Sequence, residues 1–294
     1  MRKIIVLLLS LTLLLLSNLG AWAENKGGQW KMVLQSEVKG AVNLAGFANE
    51  QNGITIGYGG EIHFSHDGGK TWPRAINNSW CRFGLEILDE KTAWHCGNKG
   101  HIRLSTDGGE SWDPVADFGQ MEPDQCRFLS FADAKTGWAA APFYIAATND
   151  GAASWKEFDL PEASKNLAAI HLLTANDGYL LDVSGKLFIT KDGGKTWSQQ
   201  TVPLKGLQLQ TLKCPTAAMR FTDAKNGVVV VSAKGSVISF TTVDGGKTWS
   251  QSLVTDKLFG FLFLSRDGKL LTITGKLGDL SDKQGALISV FKLQ

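Results

Sequence analysis

Ser65-His66-Asp67-Gly68-Gly69-Lys70-Thr71-Trp72 recurs four more times in this 294-residue chain. The copies are Ser105-Thr106-Asp107-Gly108-Gly109-Glu110-Ser111-Trp112, Thr148-Asn149-Asp150-Gly151-Ala152-Ala153-Ser154-Trp155, Thr190-Lys191-Asp192-Gly193-Gly194-Lys195-Thr196-Trp197 and Thr242-Val243-Asp244-Gly245-Gly246-Lys247-Thr248-Trp249. Successive Asp residues stand 40, 43, 42 and 52 positions apart, and Trp30 falls 42 before Trp72. A period near 40 with several short strands per unit specifies blades arranged in a ring. Asp-Gly-Gly supplies residues that tolerate positive φ, which a tight hairpin turn demands. The carboxylates of Asp67, Asp107, Asp150, Asp192 and Asp244 are placed to accept backbone N–H bonds within their turns, helped by the Ser or Thr two residues earlier. Trp72, Trp112, Trp155, Trp197 and Trp249 each offer a large apolar plate to pack between neighbouring sheets.

Upstream of each turn the strands follow in order. In the second unit they run at Phe83–Leu88, Ala93–Cys96 and His101–Ser105, separated by turns at 89–92 and 97–100. After Trp249 three strand-like runs remain, Leu258–Leu264, Leu270–Thr274 and Ala286–Phe291, and Trp30–Leu34 is the missing fourth. The expectation is an all-β propeller of about six four-stranded blades, the last closed by the N-terminal strand, which removes exposed sheet edges. Seven blades remain the alternative if the stretch from Ser198 to Met219 hides a further unit, although it is short for four strands.

The first residues read as a signal peptide. Arg2 and Lys3 precede a short apolar run, Ile4 to Leu16, and Ala21-Trp22-Ala23 offers a cleavage site. The run is short for a permanent transmembrane helix, and no cysteine stands near the site to carry a lipid. The expected organisation is a signal peptide at 1–23 and one propeller domain at 24–294, exported as a monomer to the periplasm or beyond. The chain has 30 basic and 28 acidic residues; removing the signal takes away two basic ones and leaves the mature protein neutral. A neutral chain has no global field to attract nucleic acid or an anionic membrane. Cys81, Cys96, Cys126 and Cys214 allow one or two disulfides in an exported protein, by three full pairings that sequence does not choose among, or four free thiols. No close Cys/His cluster suggests zinc, and no metal or cofactor is expected.

The five turns resemble the Asp-box of sialidases, sortilin-type receptors and related propellers. Sialidase chemistry requires an arginine triad, a tyrosine nucleophile and an acidic partner. Here there are seven arginines, one in the signal, and three tyrosines: Tyr58, Tyr144 and Tyr179. Tyr58 with Glu61 is the nearest match, yet it lies at a turn shaped like its counterparts in other blades. His63, His66, His95, His101 and His171 are scattered, and serine elbows and phosphate loops are absent. The expectation is a non-enzymatic protein, with a carbohydrate-binding or sialidase-like glycosidase as the alternative.

Thr136-Gly137-Trp138, Asn226-Gly227-Val228 and Gly97-Asn98-Lys99-Gly100-His101-Ile102, each in phase with an Asp-box, give the chain a resemblance to the Ycf48/HCF136 family of photosystem II assembly factors. That resemblance implies an exported propeller that binds protein while a membrane complex is assembled, located in a thylakoid lumen or periplasm in a phototroph. It also implies a partner-binding patch of arginines, for which Arg82, Arg127 and Arg220 are the candidates.

Strand alternation puts the Asp-box turns and the first turn of each blade on one face of the disc. The second turns and the connections between blades lie on the other. Lys99, Lys186, Lys234 and Lys276 recur at the second turn. Arg82, Arg127 and Arg220 precede Phe where the chain enters inner strands, but stand seven, six and three residues before the next Asp. Gathered at the channel mouth, these cations would grip an acidic segment or carboxylate of a membrane or exported protein. The other reading is solvated cations paired with neighbouring blades.

Overall fold

A computed structural model describes residues 29–38, 42–57, 60–77, 84–97, 101–117, 126–204, 207, 209, 216–233, 235–256, 260–276 and 286–294, with backbone alone at 74–77, 117 and 276. The expected signal segment lies outside them. Among the described residues there are 24 strands and no helix, and hence no helix long and apolar enough to cross a membrane. Strand β1 (Trp30–Val38) comes first in the chain and belongs to the last blade. Blade one is β2 (Val42–Phe47), β3 (Gly53–Gly57), β4 (Glu61–Ser65) and β5 (Arg74–Asn77). Blade two is β6 (Gly84–Ile87), β7 (Ala93–Cys96), β8 (His101–Ser105) and β9 (Asp113–Asp117). Blade three is β10 (Phe128–Phe131), β11 (Gly137–Ala141), β12 (Tyr144–Thr148) and β13 (Lys156–Glu157). Blade four is β14 (Leu167–Leu172), β15 (Gly178–Asp182), β16 (Lys186–Thr190) and β17 (Ser198–Thr201). Blade five is β18 (Ala217–Phe221), β19 (Gly227–Ala233), β20 (Ser236–Thr242) and β21 (Ser250–Thr255). Blade six is β22 (Phe261–Leu264), β23 (Leu270–Lys276) and β24 (Ala286–Leu293), with β1 outermost.

Each blade is an antiparallel meander of four strands, and β1 pairs β24 from Trp30↔Leu293 to Val38↔Ala286. The ends of the chain thus complete one blade, as expected from the sequence. Each inner strand packs against the next around the ring, and β22 packs against β2, so six blades close the circle. The stretch after Ser198 supplies β17 and then Val202, Leu204 and Leu209, which are buried in the core between blades four and five. It adds no seventh blade.

Inner strands are flanked by sheets on both sides, so they lose the in/out alternation of a half-exposed strand; every residue of β2, β6 and β14 is buried. The blades interlock through aromatic rings. Trp94 of β7 stacks on Phe131 of the next blade at 3.8 Å, and Tyr179 of β15 stacks on Phe221 at 3.8 Å. The Asp-box tryptophans meet the same inner-strand ends edge-on: Trp155 on Phe131 at 6.2 Å, Trp249 on Phe221 at 6.3 Å and Trp72 on Phe47 at 5.7 Å. Such pairs contribute about 0.5–1.5 kcal/mol each beyond the area they bury. Trp112 is buried, whereas the other four Asp-box tryptophans are half-buried. Where Trp138 lies over blade four, only glycine fits: a Cβ at Gly178 would stand 2.0 Å from the indole.

Candidate partner-binding face and channel

The Asp-box turns are closed by their own atoms. Ser65 Oγ donates to Asp67 Oδ1 at 2.8 Å and accepts from Gly69 N at 2.8 Å. The N–H groups of Lys70 and Thr71 donate to Asp67 Oδ1, and Thr71 Oγ1 donates to Oδ2. Blades two to five repeat the core of this pattern. Four of these carboxyls lie far below the usual carboxylate range, chiefly because a Thr or Ser hydroxyl donates to them; Asp150, Asp192 and Asp244 are lowered to about 2. Blade three departs from Gly-Gly: Ala152 has φ 81°, the one described non-glycine residue in the left-handed region, with its methyl buried.

Each Asp-box also bonds to the first turn of its own blade, as in Gly108 N to Lys91 O at 2.9 Å and Gly245 N to Lys225 O at 2.8 Å. The two turn types therefore share one face, and the second turns and interblade connections occupy the other. Arg82, Lys99, Lys234, Tyr58, Cys81 and Cys214 are outside the described residues, as is the side chain of Lys276.

The described part of that second face lies at blades three and four. Arg127 precedes β10 and is half-buried, its N–H donating to Ala140 O at 2.9 Å. The β11–β12 turn carries Phe143, which is 72% exposed, an unusual setting for a large aromatic ring. Leu167 N donates to Pro142 O, tying this turn to the entrance of β14. Asp182, fully buried, accepts the N–H groups of Ser184 and Lys186 on Oδ1 and that of Lys165 on Oδ2. Lys186 Nζ caps Ala163 O at 2.9 Å. Arg127, Phe143, Lys165 and Lys186 are thus held on one rim by a bonded framework. Beneath them, Cys96 at the end of β7 is bonded to Cys126 before β10, with Cα atoms 5.7 Å apart, joining blades two and three. This pairing is one the sequence left open.

Arg220 sits elsewhere. It is 5% exposed, near the Asp-box end of β18. Its Nη2 donates to Glu86 Oε2 at 2.5 Å, Nε donates to Leu264 O at 3.3 Å, and Nη1 lies 3.4 Å from His171 Nδ1. Arg127 and Arg220 therefore occupy opposite ends of inner strands, and Arg220 is no part of an exposed patch; the differing counts to the next Asp reflect this. Burial pushes the Glu86 carboxyl up, opposed by the Arg220 guanidinium. His171 Nε2 donates to Phe221 O, 2.9 Å away, and burial followed by Arg220 lowers it to about 3, leaving it neutral.

The sequence reading did not single out Glu86, His171 or Phe143. The signal for the first two was present: ionisable residues inside inner-strand runs such as Leu85-Glu86-Ile87 must find partners. Above the Glu86–Arg220 pair, Gly84, Ala169 and Ala218 leave a cavity of about 60 Å³ with Arg127 on its wall. His95 is fully buried against the Trp112 ring at 4.5 Å, and both its ring nitrogens are without hydrogen-bond partners. Burial, then Arg103, lowers it to about 3, so it too is neutral. Among the described residues no group of His, Cys, Asp and Glu is arranged to hold a metal ion.

Comparison with known proteins places this geometry. Residues 146–262 match the model of the family described as photosynthesis system II assembly factor YCF48. No curated protein matches the chain significantly in sequence. Among solved structures, YCF48 bound to D1 peptide is 15% identical, with a TM-score of 0.56 over 92% of this chain and 98% of that one. YCF48 from Cyanidioschyzon merolae is 14% identical, with a TM-score of 0.53 over 89% of this chain and 98% of that one. The GH74 enzyme of Niastella koreensis is 17% identical, with a TM-score of 0.54 over 72% of this chain but 38% of its own. At these identities the structural likeness establishes the fold. The chain is thus an Asp-box propeller that is similar in sequence to the YCF48 family over residues 146–262.

Proposed function

We propose that this Ycf48-like propeller is a non-enzymatic scaffold that binds an acidic segment of a membrane or exported protein while its complex is assembled. The observation that carries this reading is the rim of blades three and four. There an exposed Phe143 stands on the same face as Arg127, Lys165 and Lys186, on a backbone fixed by Asp182 and by the Arg127–Ala140 and Leu167–Pro142 bonds. An apolar anchor ringed by cations suits a peptide with a hydrophobic side chain and flanking carboxylates. That a related fold is known with a bound peptide supports the reading. A buried disulfide, together with a start resembling a signal peptide, supports an oxidising compartment such as a periplasm or lumen. Strand alternation in the sequence assigns Lys99, Lys234, Lys276 and Arg82 to the same proposed face.

The test is co-purification of the tagged protein from its own cells. Arg127→Glu with Phe143→Ser should abolish recovery of the partner while leaving the unfolding transition unchanged. Partner recovered at wild-type level would refute the assignment. A glycan-directed role would instead appear as binding or turnover on a polysaccharide panel, where this reading expects none.

A further inference from the structure

Two contacts in this ring span its whole width. Counted around the ring, blades two and five are opposite, and so are blades three and six. The Arg220–Glu86 ion pair joins the first two at 2.5 Å. Arg266, in the turn after β22, joins the others: its Nη1 donates to Phe131 O at 2.7 Å and its Nη2 to Ala132 O.

Strand register shows how closely this layer is built. Phe47, Ile87, Phe131, Leu172 and Phe221 each pair with the first residue of the following strand, at Gly53, Ala93, Gly137, Gly178 and Gly227, and Leu264 pairs with the second, Leu271. The residues just before them, Gly46, Glu86, Ser130, His171, Arg220 and Phe263, are therefore equivalent around the ring. They contact one another or the neighbouring inner strand. Ser130 Oγ accepts from Leu172 N at 3.0 Å, His171 contacts Arg220, and Arg220 lies 6.0 Å from the centre of the Phe263 ring. Phe263 in turn fills the space a side chain at Gly46 would need, since a Cβ there would stand 2.7 Å from its ring.

We propose that Glu86–Arg220 and Arg266 form a cross-disc latch that fixes the diameter of the ring and shuts the Asp-box end of the channel. The circle is otherwise closed by the hydrogen bonds of β1 and by sheet packing, and the disulfide braces only neighbouring blades. Contacts between opposite blades resist a widening of the channel that contacts between neighbours permit. One consequence is that a segment entering from the other face would meet the Arg220–Glu86 layer and could not thread through.

The experiment is a double-mutant cycle by urea unfolding, combined with amide exchange. Arg220→Met and Glu86→Leu should each raise the unfolding equilibrium constant by roughly 10²- to 10³-fold, because each leaves a buried charge alone. The double variant should be no less stable than either single one. A single variant that fails to fold while the double folds is the same result. Additive losses would overturn the first contact. Arg266→Ala should speed exchange of the Ala132 amide in blade three at least tenfold, while the equivalent Leu173 amide in blade four keeps its rate. Equal acceleration at both, or none at Ala132, would overturn the second.

Discussion

Asp192 and Glu86 are both carboxylates bonded by several donors, yet they are held in opposite ways. Asp192 lies in an exposed turn and takes its hydrogen bonds from Thr190, Lys195 and Thr196, all within four residues of it. Glu86 is buried in an inner strand and its cation comes from Arg220, 134 residues later on the far side of the disc. One carboxyl is lowered to about 2 by local donors, and the other is pushed up by burial. Local chemistry stabilises a turn whether or not the ring is closed. The cross-disc pair exists only once all six blades are in place.

The difference between them can be broken in steps. The largest effect belongs to the buried pair: Arg220→Met alone should cost about 3–5 kcal/mol in urea unfolding, as expected for an uncompensated buried charge. A smaller loss would mean that water reaches Glu86. Next comes the Cys96–Cys126 bond, which closes a loop of 30 residues. Replacing both cysteines by serine should cost about 3.5 kcal/mol, measured the same way, through the entropy returned to the unfolded chain.

Acid sharpens the comparison further. His95 and His171 have folded values near 3 against 6.5 in the unfolded chain. Between those values the unfolded chain holds the proton and the folded one does not, so stability falls as pH drops. By pH 5.5 each histidine should have removed about 1 kcal/mol, readable as a falling urea midpoint, and His171→Asn should remove its share of the slope. The Asp-box carboxyls respond lower. Their folded values are depressed, so their contribution is complete above the ordinary aspartate value near 4 and is lost only as pH falls toward 2. The smallest effect is that of Asp192→Asn, which keeps one acceptor for the turn. It should lower the melting temperature less than any change above, and amide exchange should quicken in the turn of blade four without spreading to blade one.

The sequence made the blades legible because their instructions are short-range. Asp-Gly-Gly with Ser or Thr two residues before closes a turn from its own atoms, and the interval between copies counts the blades. The closure by Trp30–Leu34 was legible because three strands without a fourth demand one. The channel layer was not legible. Arg82, Arg127 and Arg220 look alike as Arg-Phe pairs, and only register separates Arg127 on the rim from Arg220 in the core. Phe143 gave no signal, since an exposed Phe and a buried one are written the same way.

The sequence alone therefore determined the number, order and facing of the blades, because each is specified by residues that touch their near neighbours in the chain. Tertiary structure alone decided which charges meet. Glu86 with Arg220, Arg266 with blade three and Cys96 with Cys126 become neighbours only when strands equivalent in the repeat converge around one axis, a distance no local pattern encodes.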